Sequence, residues 1–221
     1  MNLVLHNYWR SSASYRVRIG LALKGLAYEY RVVNIIKDGG AQHTEAYRAL
    51  NPMAQVPTLE VIEDVGSPVV LTQSLPILEY LDERWPQHPL LPIGASHAAM
   101  ATRAKVRALA ELINAGIQPL QNLTTTRKVK ALGGDDQAWV QGFIASGLAA
   151  YEAAIAETHG RYSVGDAPTL ADCCLIPQLY SARRFGVSLD PYPRLRIIDA
   201  ACADDAAFQA AHPDRQPDAV A

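Results

Sequence analysis

Apolar and polar positions divide the chain into two textures. Leu3-Val4-Leu5 is a short apolar run that predicts a strand. Tyr15, Ile19, Ala22 and Leu23 follow at i, i+4, i+7 and i+8, one face of a helix that stops at Lys24-Gly25. Tyr28-Glu29-Tyr30-Arg31-Val32-Val33 is aromatic and β-branched, a second strand, which a right-handed crossover makes parallel to the first. A loop at Lys37-Asp38-Gly39-Gly40 and a short helix near 43–50 lead to Asn51-Pro52. Gln55-Val56-Pro57-Thr58-Leu59-Glu60-Val61-Ile62 predicts a third strand with proline at its entrance, and Val69-Val70-Leu71 a returning fourth. Leu78, Leu81 and Trp85 mark a helix that runs to Pro86, with Ser74 as its expected N-cap. The first 86 residues therefore spell βαβ, a connection, then ββα.

After His88-Pro89-Leu90-Leu91-Pro92 the period becomes purely helical. An alanine-rich helix is expected over 96–116, interrupted by Gln118-Pro119, and a second long helix over 137–159, with Gly133-Gly134 between them. Thr169-Leu170-Ala171-Asp172 is a capping box that starts a third, with Pro177 inside it. Tyr192-Pro193 opens a last helical region, and His212 to Pro217 suggests an extended tail. The expected organisation is α/β plus all-α, with a small domain at 1–86 and a helical domain at 93–221.

Composition narrows the function classes. The 221 residues are 49% hydrophobic and 19% charged, enough to bury a core. A net charge of −2 without a basic cluster argues against a nucleic-acid partner. No apolar run is long enough to predict a membrane span, and no leader pattern opens the chain. The three cysteines, Cys173, Cys174 and Cys202, have neither disulfide-framework nor zinc-site spacing, so no metal is expected and a reducing cytoplasm is the default setting.

Candidate chemistry concentrates at Tyr8-Trp9-Arg10-Ser11-Ser12-Ala13-Ser14-Tyr15-Arg16-Val17-Arg18, a strand-to-helix turn. A helix N-terminus offers unpaired N–H groups and partial positive charge, a place to hold an anion or a thiolate. Serine there also acts as an ordinary helix cap, and this stretch alone leaves both roles open.

The βαβ–ββα order with proline opening the third strand resembles the thioredoxin fold, with Pro57 as its cis-proline. No cysteine stands at the first turn, which disfavours disulfide exchange by the protein's own thiols. With the helical domain, the whole chain resembles a glutathione transferase. Arg10-Ser11-Ser12-x-Ser14-x-Arg16-Val17-Arg18-Ile19, Ile36-Lys37-Asp38-Gly39-Gly40, Asn51-Pro52-Met53-x-Gln55-Val56-Pro57-Thr58-Leu59, Gln73-Ser74-Leu75, Gly116-Ile117-Gln118-Pro119-Leu120-Gln121-Asn122 and Arg215-Gln216-Pro217 resemble the zeta class, which contains the maleylacetoacetate and maleylpyruvate isomerases.

The resemblance implies glutathione as cofactor, with its γ-glutamyl end at Gln73 and Ser74, its cysteinyl part on the Val56 backbone beside Pro57, and its glycyl end near Gln42 and His43. Gln118 joins the cofactor set from its motif. It implies Ser11 as thiolate donor, assisted by Ser12, with Tyr8 as runner-up. Arg10 and Arg184 are the expected anchors for substrate carboxylates, and Arg10 is counted with Ser11 and Ser12 among the catalytic residues. The implied reaction is glutathione-dependent cis–trans isomerisation of a dicarboxylate diketo acid, by a homodimer. A dehalogenase or general conjugating enzyme using the same thiolate is the alternative, and a non-catalytic binding or structural module the competing class. The class often has cysteine where this chain has Ala13, so catalysis would rest on glutathione's own thiol.

Overall fold

The computed structural model describes residues 1–220. Two compact units emerge: Met1–Leu90 together with the chain from Ala206 onward, and Leu91–Asp205. The first unit holds a four-stranded mixed sheet in the order β2-β1-β3-β4, from β1 (Asn2–Asn7), β2 (Glu29–Val32), β3 (Thr58–Ile62) and β4 (Val69–Thr72). β1 and β2 are parallel, joined by α1 (Ser12–Leu23); β3 is antiparallel to β1, and β4 to β3. α2 (Glu45–Leu50) and α3 (Ser74–Arg84) complete the βαβ–ββα order. Leu3, Leu5, Leu59 and Val61 alternate onto one sheet face and pack with Val17 and Leu21 of α1 and Ile77 and Leu81 of α3. Gly20 lets α1 approach α3 closely: a Cβ there would lie 2.2 Å from a Leu78 methyl.

The second unit is α4 (His97–Asn114), α5 (Gln118–Gln121), α6 (Leu123–Ala131), α7 (Asp136–Ala154), α8 (Leu170–Arg184) and α9 (Pro193–Ala203). Val106, Leu109 and Ile113 of α4, Ile144, Leu148 and Tyr151 of α7 and most of α8 are buried. The predicted capping box is present: Asp172, fully buried, accepts from the Thr169 N–H at 2.8 Å and hydroxyl at 2.9 Å, and from the Ser163 N–H at 2.8 Å. Cys173, Cys174 and Cys202 are buried. No helix among the described residues is long and apolar enough to cross a membrane.

Three expectations are corrected. The region around Gly133-Gly134 was expected only to separate two long helices; α5 and α6 precede it. α6 buries none of its residues, so it has no apolar stripe to reveal it. The tail expected to be extended over 212–217 instead contains a 3-10 turn at Pro213–Arg215, and it follows a short helix, α10 (Ala206–Ala211). Phe208, Ala211 and Pro213 are buried, and α10 packs on α1, so this segment completes the first unit rather than the helical one. The α3 N-cap is Gln73, at φ +69°, and Ser74 is the first helical residue. The Ser74 hydroxyl is taken by Arg16 instead of closing its own helix end.

Candidate active site

Strand register brings the candidate segments of the first unit to one end of the sheet. Thr58, the first residue of β3, pairs with His6 near the end of β1 and with Thr72 at the end of β4. Asn7 pairs with Val32, so β2 ends there too. The Tyr8–Ser11 turn, the Val56–Pro57 bond, the Gln73-Ser74 junction and the start of the 34–43 connection therefore leave the sheet from the same end.

Ser11 is the N-cap of α1: its Oγ accepts from the Ser14 N–H at 3.2 Å. Oxygen supplies that bond from a lone pair, so the hydroxyl proton stays available as a donor. The Ser14 hydroxyl, buried, accepts from the Tyr8 N–H at 3.5 Å. Ser12 opens the helix, whose first-turn amides have no carbonyl one turn earlier. Arg10 is half-buried, its guanidinium 5.4 Å from the Trp9 ring centre. Tyr8 is buried.

The Val56–Pro57 peptide is cis, as expected. Behind it lies a buried polar brace. The Tyr47 hydroxyl donates to the Gln55 carbonyl at 2.7 Å and meets the Thr58 hydroxyl at 3.0 Å, while Asn51 Nδ2 donates to the same carbonyl at 2.7 Å. Burial raises the Tyr47 phenol above its ordinary value, which keeps it a donor.

At the third segment Gln73 is exposed, and its positive φ is a strained conformation for a residue with a side chain, on the order of 1–3 kcal/mol. It turns the chain sharply from β4 so that Ser74 starts α3. The Ser74 hydroxyl accepts from Arg16 Nη1 at 3.1 Å, and Arg16 is only 1% exposed. A buried cation thus stands directly behind a helix N-terminus and adds to its attraction for a carboxylate.

In the 34–43 connection Gln42 Nε2 donates to the Ile35 carbonyl at 3.4 Å and to His43 Nε2 at 3.1 Å. Gln42 Oε1 is buried with no hydrogen-bond partner, and Gly40 leaves room for this side chain, since a Cβ there would lie 2.4 Å from it. His43 is exposed.

Gln118 and Arg184 belong to the second unit. Gln118 is the half-buried first residue of α5, and Arg184 ends α8, exposed, with its guanidinium 4.8 Å from the Phe185 ring centre. Sequence reasoning gave no role to Arg16, Tyr47, Asn51 or Arg18. The signal for the arginines was present: two charges at i and i+2 in a helix that is otherwise apolar.

Comparison with known proteins then decides the lineage. The glutathione S-transferase N-terminal domain family matches residues 10–84, and the C-terminal domain family residues 137–196. Maleylacetoacetate isomerase of Rattus norvegicus is 47% identical over 219 residues, covering 99% of this chain and 95% of the relative. The chain belongs to the glutathione S-transferase family. Within it, the chain groups with the maleylacetoacetate and maleylpyruvate isomerases. The crystal structure of maleylacetoacetate isomerase from Anaeromyxobacter dehalogenans 2CP-1, with glutathione bound in its active site, is 56% identical, with TM-score 0.89, covering 99% of this chain and 98% of that one. The holo structure of a bacterial maleyl pyruvate isomerase of the zeta class is 43% identical, with TM-score 0.87, covering 98% and 100%. Among the described residues of this family member no group of three or more His, Cys, Asp or Glu side chains is arranged to hold a metal.

Proposed function

We propose that the protein is a glutathione-dependent cis–trans isomerase that converts a maleyl diketo acid, maleylacetoacetate or maleylpyruvate, to its fumaryl isomer. The observation that carries this reading is the convergence of the Ser11 cap, the cis Val56–Pro57 bond and the Gln73-Ser74 junction at one end of the sheet, in a chain so similar along its length to isomerases of that name. Glutathione fits the residues present: the orphaned Gln42 Oε1 needs an N–H donor, and the Ser74 end suits a carboxylate.

When bound, glutathione supplies a thiolate that adds reversibly to the conjugated alkene and so allows rotation about it. The protein's own residues do the rest. Ser11 directs its hydroxyl proton at the sulfur, and Ser12 with the first-turn amides of α1 favours the anion over the thiol. Val56 offers its backbone to the cysteinyl part as a neighbouring strand would. Ser74 and Gln73 hold the γ-glutamyl carboxylate with Arg16 behind them, and Gln42 with His43 takes the glycyl end. Arg10 and Arg184 bind substrate carboxylates through planar forks, and Gln118 completes the set. A cytoplasmic homodimer is part of the same reading.

The test is turnover of a maleyl substrate with glutathione at catalytic amounts. Isomerisation without loss of glutathione supports the reading. Stoichiometric consumption would instead make the protein a conjugating enzyme or dehalogenase.

A further inference from the structure

The Tyr8–Ser11 turn is held from two sides by groups that belong neither to the sheet ladder nor to α1's own backbone. On one side stands Arg18, 1% exposed. Its Nη1 donates to Asn7 Oδ1 at 3.0 Å and the Tyr8 carbonyl at 3.4 Å, and its Nη2 to the Trp9 carbonyl at 2.8 Å. Its Nε donates to the Ala211 carbonyl of α10 at 3.1 Å, so one guanidinium ties the turn to the C-terminal segment. On the other side stands Asp218. Its Oδ2 accepts from the Trp9 N–H at 3.1 Å, and its Oδ1 accepts from the Tyr30 hydroxyl of β2 at 2.5 Å.

The Trp9 residue is therefore pinned at both backbone ends, the N–H by Asp218 and the carbonyl by Arg18. β1 has ended at Asn7, so no strand partner is at hand for that amide. The carboxylate does the work a neighbouring strand would do. The segment that presents it is itself folded: Gln216 Nε2 donates to the Ala210 and His212 carbonyls at 3.0 and 2.8 Å, and the Ala219 N–H donates to the Gln216 carbonyl at 3.0 Å. A carboxylate near a thiolate-binding turn would by itself oppose the anion, but the buried Arg18 charge faces Asp218 and offsets it.

We infer that the C-terminal segment is a positioning element for the thiol-binding turn, acting through the Asp218 carboxylate on the Trp9 amide. This rests on the function proposed above and deepens it. Ser11 lies two residues beyond Trp9, so freeing the Trp9 peptide lets the Ser11 hydroxyl drift, and small misplacements at a reacting centre are costly. Asp218 is half-buried, so its loss opens no cavity in the core.

The experiment is the pH titration of the ultraviolet thiolate band of bound glutathione, with isomerase kinetics and melting temperature, on Asp218→Ala, Asp218→Asn and Tyr30→Phe. Asp218→Ala is expected to raise the pKa of the bound thiol by about one unit and, at pH values below the parent's thiol pKa, to lower kcat about tenfold, one unit being tenfold in the thiolate equilibrium. The KM for the maleyl substrate and the melting temperature should hardly move. Asp218→Asn keeps an oxygen for the Trp9 amide and should restore most of the activity. Tyr30→Phe should shift both readouts in the same direction by less, and add nothing in the Asp218→Ala background. An unchanged thiol pKa and kcat in Asp218→Ala overturns the inference, as does a loss that only follows a fall in melting temperature. If the unaltered protein bound glutathione with no thiolate band at neutral pH, the proposed function would fail instead.

Discussion

At the residue scale the proposed site divides the two capacities of a hydroxyl. Ser11 spends a lone pair on the Ser14 N–H and keeps its proton; Ser74 spends a lone pair on Arg16 and likewise keeps its proton. Each serine is thereby turned into an oriented donor. Ser11→Ala should lower turnover on the order of 10²-fold, the worth of one preorganised donor. It should also cost about 1 kcal/mol of stability, because the cap is lost with the hydroxyl. Kinetics and thermal melting on one sample separate these two losses; a drop in stability with normal turnover would leave Ser11 as a cap alone. Arg16→Lys should raise the glutathione KM about tenfold while kcat at saturation stays within about threefold, since a hydrogen bond to a charged group is worth roughly 1.5–3 kcal/mol. Equal losses in kcat and affinity would place Arg16 in the chemical step. Both serines were legible in the sequence from strand-to-helix position. What Arg16 does was not, because a buried arginine in a helix is read from its partner, and Ser74 stands 58 residues away in the chain.

At the element scale, what could be read depended on whether an element buries a face. β1, α1 and β3 repeat in ways that a packed face dictates, and they fall where the pattern puts them; β2 buries none of its four residues and was legible from its aromatic and β-branched composition instead. α6 buries none of its residues and left no trace. The α3 cap shifted by one residue, since Gln73 takes a positive φ that nothing in its side chain advertises. The capping box of α8 was legible because its chemistry is local: Thr169 and Asp172 are one turn apart. Its weight comes from burial. Asp172→Ala removes the cap and leaves the Ser163 and Thr169 amides without their acceptor inside the unit, so it should cost about 3 kcal/mol or more. Chemical denaturation should show this as a lower midpoint with a slope near that of the parent. A change below about 1 kcal/mol would mean that the box only decorates the helix.

At the scale of the whole molecule, buried phenols set an alkaline limit. Burial raises the Tyr30, Tyr47 and Tyr151 hydroxyls above their usual value near 10. A phenol held neutral in the folded chain but ionised in the unfolded one contributes stability that is full below about pH 10 and lost as the pH climbs beyond it. For Tyr151, fully buried, the slope is about 1.4 kcal/mol per pH unit. Unfolding midpoints measured from pH 8 to pH 11 should fall above pH 10, and Tyr151→Phe should flatten the curve. Absorbance titration of the native protein should show fewer than its ten tyrosines ionising before the fold opens. Titration of all ten in the native state would contradict this.

The return of the chain to its first unit also governs when that unit is finished. A ribosome delivers the sheet first, then the roughly one hundred residues of Leu91–Asp205, and only afterwards α10, Ala211 and Asp218. At about 5–20 residues per second, that interval is on the order of ten seconds. Throughout it the Arg18 Nε and the Trp9 amide await partners that have not yet been synthesised. In the reading proposed above, the turn between β1 and α1 reaches its working shape only after the second unit has been made, and a chain cut short anywhere in that unit carries Ser11 and Ser12 without the segment that aims them.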